Sequence, residues 1–140
     1  MKNFFWLTSL TLVMFFAGGC GGGPTGMTKE PVRPVSVRRV SMDEAKTMMA
    51  TETGYILLDV RTQKEYEEGH LPGAICIPNE TIVETPPSRL TDKNQLIFVY
   101  CRSGQRSHAA AQKLAKMGYT NLVDLGGITD WQGELVKGKS

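Results

Sequence analysis

The sequence predicts an α/β fold: a mainly parallel sheet of about five strands with helices on both faces. Three observations carry this reading. Leu96 to Tyr100 is an unbroken apolar run, the pattern of a strand covered on both sides. Ala110, Ala111, Leu114 and Met117 then fall on one helical stripe. From Val35 onward, strand-like and helix-like segments alternate, as in parallel sheets joined by right-handed helical crossovers.

The elements follow in order. Val35 to Val40 alternates Val with Ser or Arg and predicts an edge strand. Ser41-Met42-Asp43-Glu44 fits a capping box, so a helix is expected to about Thr51, with Gly54 breaking the pattern. Tyr55 to Leu58 is a buried strand. Thr62-Gln63-Lys64-Glu65 is a second capping box, opening a short helix to Glu68 that Gly69 ends. Leu71-Pro72-Gly73 is a turn, and Ala74 to Ile77 is a short strand halted by Pro78. Thr81 to Leu90 stays ambiguous, because Pro86-Pro87 forbids a regular helix through that point. After the Leu96–Tyr100 strand, a helix is expected from Ser107 to Met117, with Gly118 as its cap. Asn121 to Leu125 returns as a strand, and Gly126-Gly127 turns into a last short helix carrying Trp131.

At 140 residues the chain holds one domain with an appendage. A net charge of +2 argues against a nucleic-acid partner, which calls for a concentrated basic face. Three cysteines, none paired as C-x-x-C, exclude a disulfide-stapled miniprotein.

The N-terminus reads as an address. Phe4 to Phe16 is apolar but would span only about 20 Å as a helix, short of the ~30 Å hydrocarbon core. Residues 1–19 therefore read as a signal peptide. Ala17-Gly18-Gly19-Cys20 resembles the lipobox of bacterial lipoproteins, although that family prefers Leu where Ala17 stands. The resemblance implies cleavage before Cys20 and its lipidation, with export to the cell envelope and anchoring on the periplasmic or extracytoplasmic face of a membrane. The alternative is an ordinary secretory cleavage site with an incidental Cys20. Residues 20–34, rich in Gly and Pro, read as a tether with a reach of about 20 Å. The folded domain is assigned to 35–137.

The chemistry sits between the strongest strand and the strongest helix, at Cys101-Arg102-Ser103-Gly104-Gln105-Arg106-Ser107. Ligands of open α/β sheets gather at the carboxyl ends of strands. A tight loop entering a helix turns backbone N–H groups inward as an anion nest, and the helix dipole adds to that field. Arg102 and Arg106 add full charges if they point inward. All three effects favour a thiolate, so Cys101 is expected to be a nucleophile. The competing reading of Cys101 is an inert strand-end thiol.

With Leu58-Asp59-Val60-Arg61, Gly69-His70-Leu71-Pro72-Gly73-Ala74, the Cys101–Ser107 loop and Gly126-Gly127-Ile128-Thr129-Asp130-Trp131 in this order, the chain from Val35 to Val136 resembles a single-domain rhodanese, a sulfurtransferase. The resemblance implies a persulfide mechanism. Cys101 takes the sulfane sulfur of a small anionic donor such as thiosulfate and passes it to a thiol or cyanide acceptor. Amides of Arg102 to Arg106 cradle the terminal sulfur. No cofactor or metal is implied, and the partners are the donor anion and a thiol acceptor, which includes a periplasmic thiol protein.

Two rivals stay open. Related Cys-dependent phosphatases and arsenate reductases place five residues between Cys and Arg; here four separate Cys101 from Arg106. The shorter loop suits one sulfur atom rather than a tetrahedral oxyanion. The other rival is a non-catalytic rhodanese-like binding module, or a persulfide carrier serving one protein partner.

Asp59 ends its strand and is expected to face the rim that holds Cys101. It either orients loop arginines or substrate, or forms an ion pair or turn bond with Arg61. His70 is expected to make a turn hydrogen bond, and His108 to be exposed and neutral. Trp131 is expected to anchor the last helix, and Cys76 to be packed and inert, separated from Cys101 by the Tyr55–Val60 strand in the family's sheet order. Loops such as Thr81–Leu90 commonly line the site's mouth.

Overall fold

A computed structural model of the chain describes Gly19 and residues 35–139. Apart from Gly19, the leader assigned to 1–19 lies outside these residues, as do Cys20 and the tether. The described elements are β1 (Arg38–Arg39), α1 (Met42–Thr51), β2 (Ile56–Asp59), α2 (Gln63–Glu68), β3 (Ile75–Cys76), a 3₁₀ turn (Asn79–Thr81), β4 (Ile97–Cys101), α3 (Gln105–Lys116), β5 (Leu122–Gly127) and a second 3₁₀ turn (Ile128–Asp130).

The five strands pair in parallel in the order β1-β5-β4-β2-β3. This is the α/β sheet that the alternation predicts. β4 lies at its centre and is buried throughout. Strand side chains alternate between faces, so Ile97, Val99 and Cys101 enter one core layer while Phe98 and Tyr100 enter the other. Ala110, Ala111 and Leu114 of α3 complete the first layer. Met42 and Ala45 of α1 and Tyr66 of α2 complete the second.

Several boundaries differ from the sequence reading, each for a local reason. β1 is confined to Arg38 and Arg39, which pair with β5 alone among the described residues. The Ser41 box is half formed. Ser41 Oγ accepts from the Glu44 amide at 3.2 Å, but the Glu44 carboxylate turns to Arg38 Nη2 at 2.7 Å. The Thr62 box is complete, with Glu65 N donating to Thr62 Oγ1 and Thr62 N donating to Glu65 Oε2. α3 starts two residues before Ser107, because Gly104 takes the cap position. Trp131 follows a 3₁₀ turn rather than riding on a helix, and packs half-buried against the second layer.

Beyond its 3₁₀ turn, the Thr81–Leu90 segment is irregular, pinned to the core by Ile82 and Leu90. β5 carries an irregularity: Val99 pairs with Asp124 and Tyr100 with Gly126, so Leu125 is skipped. Such a bulge re-aims the strand end, here directly beside the end of β4.

Candidate active site

Cys101 is the last residue of β4 and is fully buried. Its Sγ accepts a hydrogen bond from the Gly104 amide at 3.0 Å. Gly104 caps the 12-residue α3 with φ +97°, in the left-handed region that glycine occupies without strain. A side chain there would also strike the Arg39 guanidinium. The sulfur thus sits at the positive end of a helix dipole with one backbone donor aimed at it.

The loop is clasped from the β5 side. A Cβ on Gly127 would lie 2.3 Å from Arg102 O, so only glycine allows the two backbones to meet. Thr129 Oγ1 donates to the same carbonyl at 3.3 Å.

The charged side chains are placed differently from one another. Arg106 is half-buried and grips Glu65 of α2 with both terminal nitrogens, at 2.8 and 2.9 Å. It is therefore committed to a carboxylate. That contact holds the Glu65 carboxyl down at about 2, from an ordinary 4.5, and raises the Arg106 guanidinium. Arg102, Ser103 and Gln105 are exposed. Asp59 is fully buried and accepts from Arg61 N at 2.9 Å and from Arg61 Nη2 at 2.7 Å. Both the turn bond and the ion pair form. Arg61 Nη2 also donates to Gly69 O at 2.7 Å.

The buried hydroxyl of Ser107 donates to Asp124 Oδ1 at 2.6 Å. Asp124, which the sequence reading does not single out, is fully buried beside the loop helix. Its only sequence signal is a lone acid inside the apolar run Leu122–Leu125.

His70 is buried, with Nδ1 2.8 Å from Tyr66 O and its ring stacked on Tyr66. It also forms an antiparallel bridge with Val136. His108 is half-exposed, with Nε2 3.0 Å from Gln112 Nε2. Cys76 is half-buried on the far side of β2, and its Sγ donates to Arg61 O at 3.6 Å. Burial and the neighbouring Asp59 push its thiol up to about 11.

Among the described residues, two hollows flank the loop. One of about 390 Å³ opens at Arg102, between Glu65 and Glu68 on one wall and Ile128 and Leu135 on the other. The second, about 780 Å³, lies beside Ser103, Arg39 and Gly126. The Thr81–Leu90 segment lines neither.

The Rhodanese-like domain family matches residues 41–134. The thiosulfate sulfurtransferase PspE of Escherichia coli is 38% identical over 81 residues, covering 58% of this chain and 78% of that protein. A sulfurtransferase of Allochromatium vinosum is 32% identical over 98 residues, covering 68% of this chain and 88% of that one. Other relatives are longer proteins, of which the chain spans 53% or 24%. Among solved structures, a rhodanese with anions from E. coli superposes with a TM-score of 0.55 at 37% identity, covering 60% of this chain and 99% of that one. With the parallel five-stranded sheet and the cysteine loop between β4 and α3, these matches show that the chain belongs to the rhodanese-like sulfurtransferase family.

Proposed function

We propose that this chain is a thiosulfate-type sulfurtransferase that works through a persulfide on Cys101. The observation that carries the reading is the 3.0 Å hydrogen bond from the Gly104 amide to Cys101 Sγ, at the head of α3. A donor placed there favours negative charge on sulfur. The similarity to a thiosulfate sulfurtransferase supports the donor class.

In the first step the Cys101 thiolate attacks the outer sulfur of thiosulfate. A bond forms between Sγ and that sulfur, the sulfur–sulfur bond of the donor breaks, and sulfite leaves with the electron pair. The product is a Cys101 persulfide anion. In the second step an acceptor nucleophile attacks the terminal sulfur. Cyanide leaves as thiocyanate, or a thiolate leaves as a new persulfide, and the Cys101 thiolate returns.

The test is intact mass of the purified protein before thiosulfate, after it, and after cyanide. Wild type gains one sulfur atom and cyanide removes it; Cys101→Ser gains none. A protein that gains no sulfur but hydrolyses an aryl phosphate would overturn the proposal, as would one that does neither.

Export and lipid anchoring through Cys20 are part of the same proposal. The apolar Phe4–Phe16 stretch and the small residues before Cys20 support them. Mass analysis of the N-terminus from a bacterial host checks this, with an uncleaved Met1 as the refuting result.

A further inference from the structure

Asp124 is fully buried in β5, and burying a carboxylate is costly unless it is held by partners. Oδ1 accepts from Ser107 Oγ at 2.6 Å and from Gly126 N at 3.0 Å. These two contacts reach the two backbones that shape the sulfur site. Ser107 is in the first turn of α3, and its hydroxyl also lies 3.0 Å from the carbonyl of Gly104. Gly126 follows the skipped Leu125, so the second contact fixes the bulge that brings Gly127 against the Arg102 carbonyl.

Oδ2 is buried and has no hydrogen-bond partner among the described residues. Among the described residues, the cationic or titratable groups facing it are Arg39 Nε of β1 and His108 Nδ1 of α3, each 3.7 Å away. The register explains Arg39: its Cα pairs with that of Asp124 across β1 and β5. The same guanidinium covers Gly104. One buried acid therefore ties together both walls of the cysteine loop and the cation lying over its glycine.

We propose that Asp124 is a positioning residue for sulfur transfer: through Ser107 and Gly126 it fixes the Gly104 amide in line with Cys101 Sγ. It touches neither sulfur nor substrate. The inference rests on the sulfurtransferase reading for its consequence in activity, but its geometric content can be measured without any sulfur donor.

The experiment compares wild type with Asp124→Ala, Asp124→Asn and Ser107→Ala. Three quantities are read: thermal midpoint, the rate of persulfide formation from thiosulfate, and the pH profile of Cys101 alkylation by iodoacetamide, with the site identified by peptide mass. Asp124→Ala and Ser107→Ala slow sulfur uptake on the order of tenfold, as a sub-ångström misplacement does. They also move the alkylation midpoint to higher pH, because the thiolate loses an aligned donor. Asp124→Asn keeps an acceptor oxygen for Ser107 and Gly126 and restores most of both. Should Asp124→Ala not fold, Ser107→Ala, which removes one hydroxyl, carries the same test.

A lowered thermal midpoint with an unmoved alkylation midpoint in Ser107→Ala would overturn the proposal and leave Asp124 a purely structural brace. If wild type takes up no sulfur, the sulfurtransferase reading fails while the alkylation profiles still decide the role of Asp124.

Discussion

Arg106 and Glu65 close on each other in a two-pronged ion pair, Nη1 to Oε2 at 2.8 Å and Nη2 to Oε1 at 2.9 Å, joining α3 to α2 across 41 residues of chain. Glu65 also completes the Thr62 capping box. One carboxylate thus starts α2 and holds the helix that follows the cysteine loop.

This pair predicts a pH dependence. Arg106, helped by Thr62, holds the Glu65 carboxyl at about 2 against the opposing effect of burial. The folded value lies below the ordinary 4.5, so the stabilisation is complete above that pH and is lost as pH falls toward 2. Glu65→Gln lowers unfolding stability by about 1 kcal/mol at neutral pH, the scale of a partly exposed pair. The gap from wild type narrows below pH 4.5 in urea titrations across pH, whereas a gap that widens on acidification contradicts the assignment.

The Asp59–Arg61 pair is more deeply placed, with Asp59 fully buried and Arg61 nearly so. Arg61→Met leaves a buried carboxylate without its partner and costs about 3–5 kcal/mol. Asp59→Asn combined with Arg61→Met costs less than the sum of the two single changes. Additive costs in a double-mutant cycle by chemical denaturation refute the coupling.

Cys76 is expected to be a bystander. Its thiol, pushed up to about 11, stays protonated at pH 8 and reacts slowly. In timed alkylation at pH 8 followed by peptide mapping, Cys76 is modified more slowly than free glutathione. Cys76→Ser takes up sulfur from thiosulfate as wild type does, and a loss of uptake refutes this assignment.

Gly127→Ala tests the clasp on the loop. The added methyl meets the Arg102 carbonyl at a distance no contact tolerates. The backbones must part, at a cost of about 1–3 kcal/mol, and sulfur uptake falls with the displaced loop. Full uptake with an unchanged thermal midpoint would show that β5 does not brace the loop.

Much of this was legible in the sequence because the signals were local. The Leu96–Tyr100 run and the Ala110, Ala111 and Leu114 stripe mark β4 and α3 by periodicity alone. The Thr62 box is written in four adjacent residues. What escaped depends on distant partners. Arg106 read as a loop charge because Glu65 is far away in sequence. Ser107 read as the helix start and the end of the sulfur-binding loop, whereas its hydroxyl goes to Asp124. Asp124 itself drew no reading beyond its place in the Asn121–Leu125 strand. Only the β1–β5 register and the bulge at Leu125 reveal that it is buried behind the site.

The brevity of β1 and β3 has a consequence for how the folded chain meets copies of itself. Outer strands are where one sheet can recruit another, through unpaired amides and carbonyls. Here each margin is two residues long. One consists of exposed arginines, and the other runs within two positions into Pro78. Such margins give a neighbour scant template for growth, a safeguard suited to crowded surroundings.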